Sequence, residues 1–153
     1  MLATDTLNFS LTARRNPGTA ANAFEGAYLR GLWDRLWAKL TGRAHQLEAL
    51  PDGLEGQHFA GAQVVPVDAI RGSENRCEDF DADFHPLRAE NKDRWTSVFT
   101  AWRQGRTLPP VDLVKVGGTY YVRDGHHRIS VARTLGQDYI DAIVIEACAR
   151  TPR

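Results

Sequence analysis

A β-hairpin followed at once by a helix is the sequence feature that most constrains this fold. Two β-rich runs, Val111–Val116 and Thr119–Arg123, flank the pair Gly117-Gly118. A glycine pair between two such runs is typical of an antiparallel hairpin with a primed turn. Asp124-Gly125 ends the second run, and a short helix is predicted over Ile129–Leu135. The chain therefore has to pack a helix directly behind a hairpin.

The patterns on either side of this hairpin predict further alternating elements. A strand is expected at Gln63–Val67, a polar loop at Arg71–His85 and a last strand at Ile140–Ile145. Between them lies a helix whose apolar residues stand at i, i+3, i+4 and i+7 and which Gly105 ends. The predicted elements after residue 60 therefore follow the order strand, loop, helix, strand, strand, helix, strand. The apolar positions of that helix are Trp95, Val98, Phe99 and Trp102.

The N-terminal third predicts a helical extension that precedes the α+β part. Residues 1–19 suggest a loose lead-in. From Ala20 apolar residues recur at three- and four-residue steps, which predicts a helix that Gly42 caps. A short second helix is expected over Arg43–Leu50, and Pro51–Gly56 suggests a linker. We therefore predict an extension over residues 1–57 and a second domain over residues 58–153. Residues 24–40 carry an apolar face that has to pack on the domain or on a second subunit, so a homodimer is one expectation.

The composition is that of an ordinary globular chain. The 153 residues are 42% apolar and 25% charged, with 19 basic and 19 acidic side chains. A net charge of zero argues against non-specific nucleic-acid binding, which needs a basic domain, so DNA binding or cleavage ranks third among the functions. Two cysteines are too few for a disulfide framework. No apolar run reaches the ~18 residues of a membrane span, and no apolar core follows Arg14-Arg15, so we expect a cytoplasmic protein without a membrane partner.

The segment from Asp124 to Arg128 carries the chemistry. Gly125 stands where a strand ends and a helix begins, and such a helix start presents free backbone N–H groups and the positive end of the helix dipole. Phosphate is the usual ligand of this arrangement. His126, His127 and Arg128 add potential positive charge to a helical turn that ordinarily favours acidic residues, and a bound anion would turn this conflict into attraction.

Other interpretations of the same segment stay open. Asp124 could simply cap the helix and pair with Arg128 while the histidines fill space. A zinc site at His126 and His127 is disfavoured, because adjacent helical residues point about 100° apart and no further Cys or His lies nearby in sequence. Asp124 is a better candidate as a Mg²⁺ ligand beside a nucleotide, since Mg²⁺ commonly binds one or two carboxylates together with phosphates.

The C-terminal part of the chain resembles the ParB–sulfiredoxin-type nucleotide-binding domain, which implies an α+β fold with a small mixed sheet and helices. The similar region runs from about Gln63 to Ile145, a little over half of the chain, and the block around Asp124–Arg133 is its specific part. The helix over residues 20–50 lies outside it. The markers are Val64–Ile70, Asn75-Arg76, Phe80-Asp81, Leu108–Val111, Tyr120–Arg133 and Gly136.

The resemblance also shows where this chain departs from the family. In the ParB branch the turn reads Gly-Glu-Arg-Arg and holds a nucleotide triphosphate. Gly125 and Arg128 match, whereas His126 and His127 replace Glu and Arg. In sulfiredoxin a catalytic Cys precedes His-Arg, and His126 stands at that position here, so sulfinic-acid repair is not expected. The Asp-Gly-His-His-Arg form is similar to the ParB-like free-serine kinases, which transfer phosphoryl groups from a nucleotide.

The resemblance further implies that the loop Arg71–Asp83 faces the same pocket. Arg76 is then the best phosphate contact and Glu74 a possible catalytic base. Ser130 is a candidate donor to phosphate, although a plain helix hydroxyl is an equal alternative. For each acid of the loop a solvated side chain is as good an interpretation; the weaker candidate bases are Glu78, Asp79 and Asp81.

These observations lead to two main functional hypotheses. The first is a nucleotide-binding sensor or partner-binding module that takes a nucleotide triphosphate or diphosphate, with or without Mg²⁺. The second is a nucleotide-dependent phosphotransferase in which Asp124 or Glu74 handles a proton or a metal ion. The sequence defines the phosphate site well and an acceptor site poorly, which favours binding over catalysis.

Overall fold

The computed structural model describes residues 18–150. Most of the predicted lead-in over residues 1–19, including Arg14-Arg15, lies outside the described residues. The elements follow in chain order: α1 (Ala20–Thr41), β1 (Glu48–Ala49), β2 (Leu54–Pro66), β3 (Ile70–Ser73), α2 (Lys92–Arg103), β4 (Val111–Val116), β5 (Thr119–Asp124), α3 (His126–Thr134) and β6 (Tyr139–Ala149).

The strands form one six-stranded mixed sheet in the order β1-β3-β5-β4-β6-β2. The central β4 pairs antiparallel with β5 and parallel with β6. β3 joins β5 in parallel, and β2 runs antiparallel along β6. The predicted hairpin is confirmed, with Gly117 at φ 62° in its turn. The mixed sheet, its helices and the helical N-terminal part confirm the α+β fold class.

Helix α1 is confirmed, but the large apolar side chains of its face pack against the domain only as far as Tyr28. Thr19 caps its N-terminus, and Gly42 ends it with φ 68°. Phe24 is buried, whereas Trp33 and Trp37 are 67% and 66% exposed. The two helices differ in length, since the 22 residues of α1 span about 33 Å whereas the 12 residues of α2 span about 18 Å. The C-terminal part of α1 therefore has no matching length of α2 to pack against. The domain therefore covers only part of the apolar face, and the homodimer stays a prediction.

Three local predictions between the helices are corrected. The expected helix over Arg43–Leu50 is wrong, because Glu48 and Ala49 pair with β3 as the edge strand β1. The expected linker Pro51–Gly56 is partly wrong, since β2 begins at Leu54, and the predicted division at residues 57 and 58 falls within β2. The predicted loop Arg71–His85 begins inside β3. In each case pairing with a strand distant in sequence overrides the local pattern.

Helix α3 lies between two apolar clusters. Ile129 and Ala132 belong to the cluster that covers the sheet. Val131 and Leu135 belong to a second cluster with α1 and α2, where Trp95 and Phe99 stack. Packing on both sides determines the position of the N-terminal end of α3, where the candidate site lies. Within residues 18–150, no helix combines the length and the apolar content needed to cross a membrane.

Candidate functional site

An open cavity of about 400 Å³ lies at the N-terminal end of α3. Three parts of the chain that are distant in sequence contribute to its walls: the loop after β3, the outer face of α2 and the turn between β5 and α3. The structure thus brings the predicted Arg76 next to the predicted turn. The residues that line the cavity are Arg76, Asp93, Arg94, Ser97, Val98, Asp124, Gly125, His126, His127 and Arg128.

Gly125 forms the start of α3 in a conformation that other residues rarely adopt. Its φ is 107°, and a Cβ placed on it would lie 2.5 Å from Cγ1 of Val111. Gly125 occupies the cap position, and no side chain within residues 18–150 caps the helix. The capping interpretation of Asp124 is therefore wrong. The first N–H groups of α3 have no acceptor inside the helix and remain available to a ligand.

Arg128 is anchored by protein groups. Its Nη1 donates to the carbonyl oxygens of Pro109 and Pro110 at 2.6 and 2.8 Å. Its Nη2 donates to Oδ2 of Asp124 at 3.2 Å, as the pairing interpretation expected. The side chain is only 15% exposed. Arg128 therefore shapes the turn and adds positive charge to the wall, while most of its donors are already in use.

His126 is buried and neutral. Its Nε2 lies 2.6 Å from Oγ of Ser73, and the same Oγ accepts the backbone N–H groups of Asn75 and Arg76. A hydroxyl that accepts twice has its own proton left to donate, so Ser73 donates to Nε2 and His126 carries its proton on Nδ1. Burial, with the charge of Arg76 and the neighbouring His127, lowers the pKa of His126 to about 4.

His127 is neutral for similar reasons. Burial, followed by the charges of Arg76 and Arg94, lowers its pKa to about 4. Its ring stands edge-on to Phe80, and its Nε2 is buried without a hydrogen-bond partner among residues 18–150. The expectation of cationic histidines in the first turn is therefore wrong at neutral pH. The positive charge of the site comes from arginines.

Arg76 and Arg94 also line the cavity and have fewer protein partners there than Arg128. The side chain of Arg76 is partly exposed and lies 3.4 Å from the carboxylate of Asp79. Arg94 is exposed and makes no ion pair within the part of the chain that the structure describes. Sequence reasoning missed Arg94. Its place directly before the buried Trp95 assigns it to α2, but nothing in the spacing connects α2 with the α3 turn.

Several predicted residues lie away from the cavity or have other partners. Ser130 is buried and accepts a hydrogen bond from the indole of Trp95 at 2.8 Å, so its assignment to phosphate is corrected. Glu74 is not among the cavity residues and pairs with Arg123 at 3.0 Å. The other loop acids are engaged as well: Glu78 with Arg88, Asp79 with Arg76 and Arg88, and Asp81 with His85.

Two carboxylates line the cavity together with the arginines. Asp124 extends from the end of β5 and is mostly exposed, and Asp93 lies in the first turn of α2. Their presence makes the site one of mixed charge. Such a mixture suits a ligand that brings both phosphate groups and a divalent cation.

Comparison with known proteins yields a likeness of fold. No protein-family model and no curated protein matches the chain. Among solved structures, sulfiredoxin from Arabidopsis thaliana is similar, with 23% identity and a TM-score of 0.44 over 57% of this chain and 86% of that chain.

Proposed function

We propose that the chain binds the phosphate groups of a nucleotide in the cavity at the N-terminus of α3. The observation that carries this proposal is the pair Arg76 and Arg94, which line the cavity beside an uncapped helix start. Backbone N–H groups and arginine guanidinium groups are the donors that phosphate oxygens accept most readily. The cavity volume of about 400 Å³ falls in the range of small-molecule sites.

The neutral histidines fit the same ligand. With its proton on Nδ1 and Nε2 held by Ser73, His126 has a defined tautomer and keeps one N–H donor. A bound phosphate would add negative charge beside His127 and raise its pKa from about 4. Binding should then be accompanied by proton uptake at mildly acidic pH. Calorimetry in two buffers with different ionisation enthalpies measures this uptake, and identical heats in both would contradict it.

The direct test is calorimetric titration with the four nucleoside triphosphates, the corresponding diphosphates and pyrophosphate. Arg94→Ala and Arg76→Ala should each weaken binding by about ten- to a hundredfold, because each removes hydrogen bonds to a charged group. Arg35→Ala is the matched control, since Arg35 is exposed on α1 and does not line the cavity. The proposal fails if the wild type binds none of these ligands, or if both cavity variants bind as tightly as the control.

Phosphoryl transfer is the second candidate function, and the carboxylates of Asp93 and Asp124 favour it. Both line the cavity, and Mg²⁺ is commonly held by one or two carboxylates together with substrate phosphates. In that reaction an acceptor hydroxyl attacks the terminal phosphorus, the bond to the nucleotide breaks, and the hydroxyl proton passes to a base. Nucleotide consumption with a panel of hydroxyl acceptors, free serine among them, tests it. Asp124→Asn should abolish magnesium-dependent turnover, and retained turnover would exclude Asp124 from the chemistry.

A further inference from the structure

A second group of polar side chains lies away from the cavity at the N-terminal end of α3. It is located between α1 and the loop that follows β3. Asp34 extends from the exposed half of α1, and His45 lies between α1 and β1. The loop after β3 contributes Asp81, Asp83 and His85. The segments are brought together by backbone contacts: Gln46 forms a β-bridge with Asp81, and a Cβ added at Gly31 of α1 would lie 3.0 Å from Cβ of His85.

The polar atoms of this group converge on a small volume. Nε2 of His45 lies 3.1 Å from the carboxylate of Asp83, 3.7 Å from that of Asp81 and 3.9 Å from that of Asp34. Nδ1 of His85 lies 2.9 Å from Asp81 and 3.5 Å from Asp34. With metal–ligand bonds of about 2.0–2.2 Å, neighbouring ligand atoms of a tetrahedral ion lie about 3.3–3.6 Å apart. The spacing of these atoms brackets that value.

The orientation of individual atoms supports an ion at the centre. Nε2 of His45 is buried and close to three carboxylates, yet it makes no hydrogen bond with any residue of the 18–150 range. Asp81 is 1% exposed, and its Oδ1 accepts the backbone N–H groups of Asp83 and His85 at 2.9 and 2.8 Å. This leaves Oδ2 of Asp81 to face the two histidines. The donors are therefore held in place before any ion binds.

The charge of the group also favours a cation. Three carboxylates face two histidines, and Nη1 of Arg133 lies 3.6 Å from Asp83. The carboxylates therefore supply negative charge that a bound cation would offset.

We propose that these side chains form a binding site for a zinc-type divalent cation. His45 Nε2 and the carboxylates of Asp34 and Asp81 are the three protein ligands, since their ligand atoms all lie within 4.8 Å of one another. His85 holds the carboxylate of Asp81 at 2.9 Å, and Asp83 balances the charge beside His45. Imidazole nitrogen with carboxylate oxygen is a donor set that Zn²⁺ accepts readily, whereas Mg²⁺ prefers oxygen ligands and retained water. The bound ion would connect α1 to the loop after β3, whose Arg76 lines the cavity at the N-terminal end of α3.

Zinc titration of the metal-free chain without a purification tag tests the proposal. We expect one Zn²⁺ per chain, no competition from excess MgCl₂, and a melting temperature that rises with Zn²⁺ concentration because the ion binds the folded state. His45→Asn and Asp34→Asn should each lower zinc affinity by more than about tenfold, the lower bound for loss of a supporting group at a metal site. His58→Asn is the matched control, since His58 is exposed and pairs with Glu146 on the opposite edge of the sheet.

The outcomes separate this proposal from an adventitious ion. Asp34 is 45% exposed, so Asp34→Asn should fold, and its circular dichroism spectrum checks this. The proposal is overturned if the wild type binds no Zn²⁺, or if folded His45→Asn and Asp34→Asn bind it as tightly as the wild type. Loss of binding in His58→Asn alone would place the ion elsewhere and overturn it equally.

Discussion

The variant Gly125→Ala tests whether the start of α3 depends on the absence of a side chain. Gly125 has φ 107° and ψ 23°, outside the region that alanine adopts easily. The left-handed conformation disfavours a residue with Cβ by about 1–2 kcal/mol. The new Cβ would also lie 2.5 Å from Cγ1 and 2.9 Å from Cβ of Val111 on β4. Overpacking of this kind destabilises by about 1–3 kcal/mol.

Together these terms predict a loss of about 2–5 kcal/mol in the free energy of unfolding. A domain with about 5–15 kcal/mol of stability should remain folded. Gly117→Ala is the matched control, because Gly117 also has a positive φ, of 62°, but its added Cβ would have no atom of the described residues within 4 Å. It should lose only the conformational part, about 1–2 kcal/mol. Urea denaturation of both variants, with unchanged m values, gives the two free energies.

A third variant separates the steric part from the conformational part. In a Val111→Ala background the contact with Cγ1 at 2.5 Å is gone but the contact with Cβ at 2.9 Å remains, so Gly125→Ala should lose less stability there than in the wild type. Equal losses for Gly125→Ala and Gly117→Ala in the wild-type background would refute the steric argument. An unchanged loss in the Val111→Ala background would refute it as well.

Three further predictions concern the helical layer and the site. Trp95→Phe removes the indole N–H that donates to the buried Oγ of Ser130 at 2.8 Å. Denaturation should show a loss of about 1–3 kcal/mol in the free energy of unfolding. Phe24→Ala should lose about 3–5 kcal/mol because Phe24 is buried, whereas Trp37→Ala should stay within about 0.5 kcal/mol in a monomer because Trp37 is exposed. Burial and the neighbouring arginine lower the pKa of His126 and of His127 to about 4, below the value near 6.5 of an unfolded chain, so the unfolded state binds more protons between those values. The free energy of unfolding should therefore fall as the pH falls from about 6.5 to about 4. This fall should be shallower in His127→Gln, and an equally steep fall in that variant would contradict the assignment.

The sequence by itself determined the elements that local chemistry specifies. The Gly117-Gly118 turn predicts the hairpin because a primed turn needs positive φ, and both strands form as expected. Periodic apolar residues and Gly42 predict α1 from Ala20 onward. Gly125 was identified as a helix start from its place between strand and helix. In each case the residues that specify the element lie within it or next to it in sequence.

Only the tertiary structure decided which distant residues lie together and which charges they carry. Arg94 reaches the cavity because α2 packs on α3, and the pattern of α2 alone does not show it. The histidines of the α3 turn are neutral because the fold buries them beside arginines. The sequence of the turn alone does not show this burial. His45 and His85 meet three carboxylates because a β-bridge joins two segments far apart in sequence. Burial and long-range pairing are properties of the packed chain, so they set the chemistry of both sites after the local elements have formed.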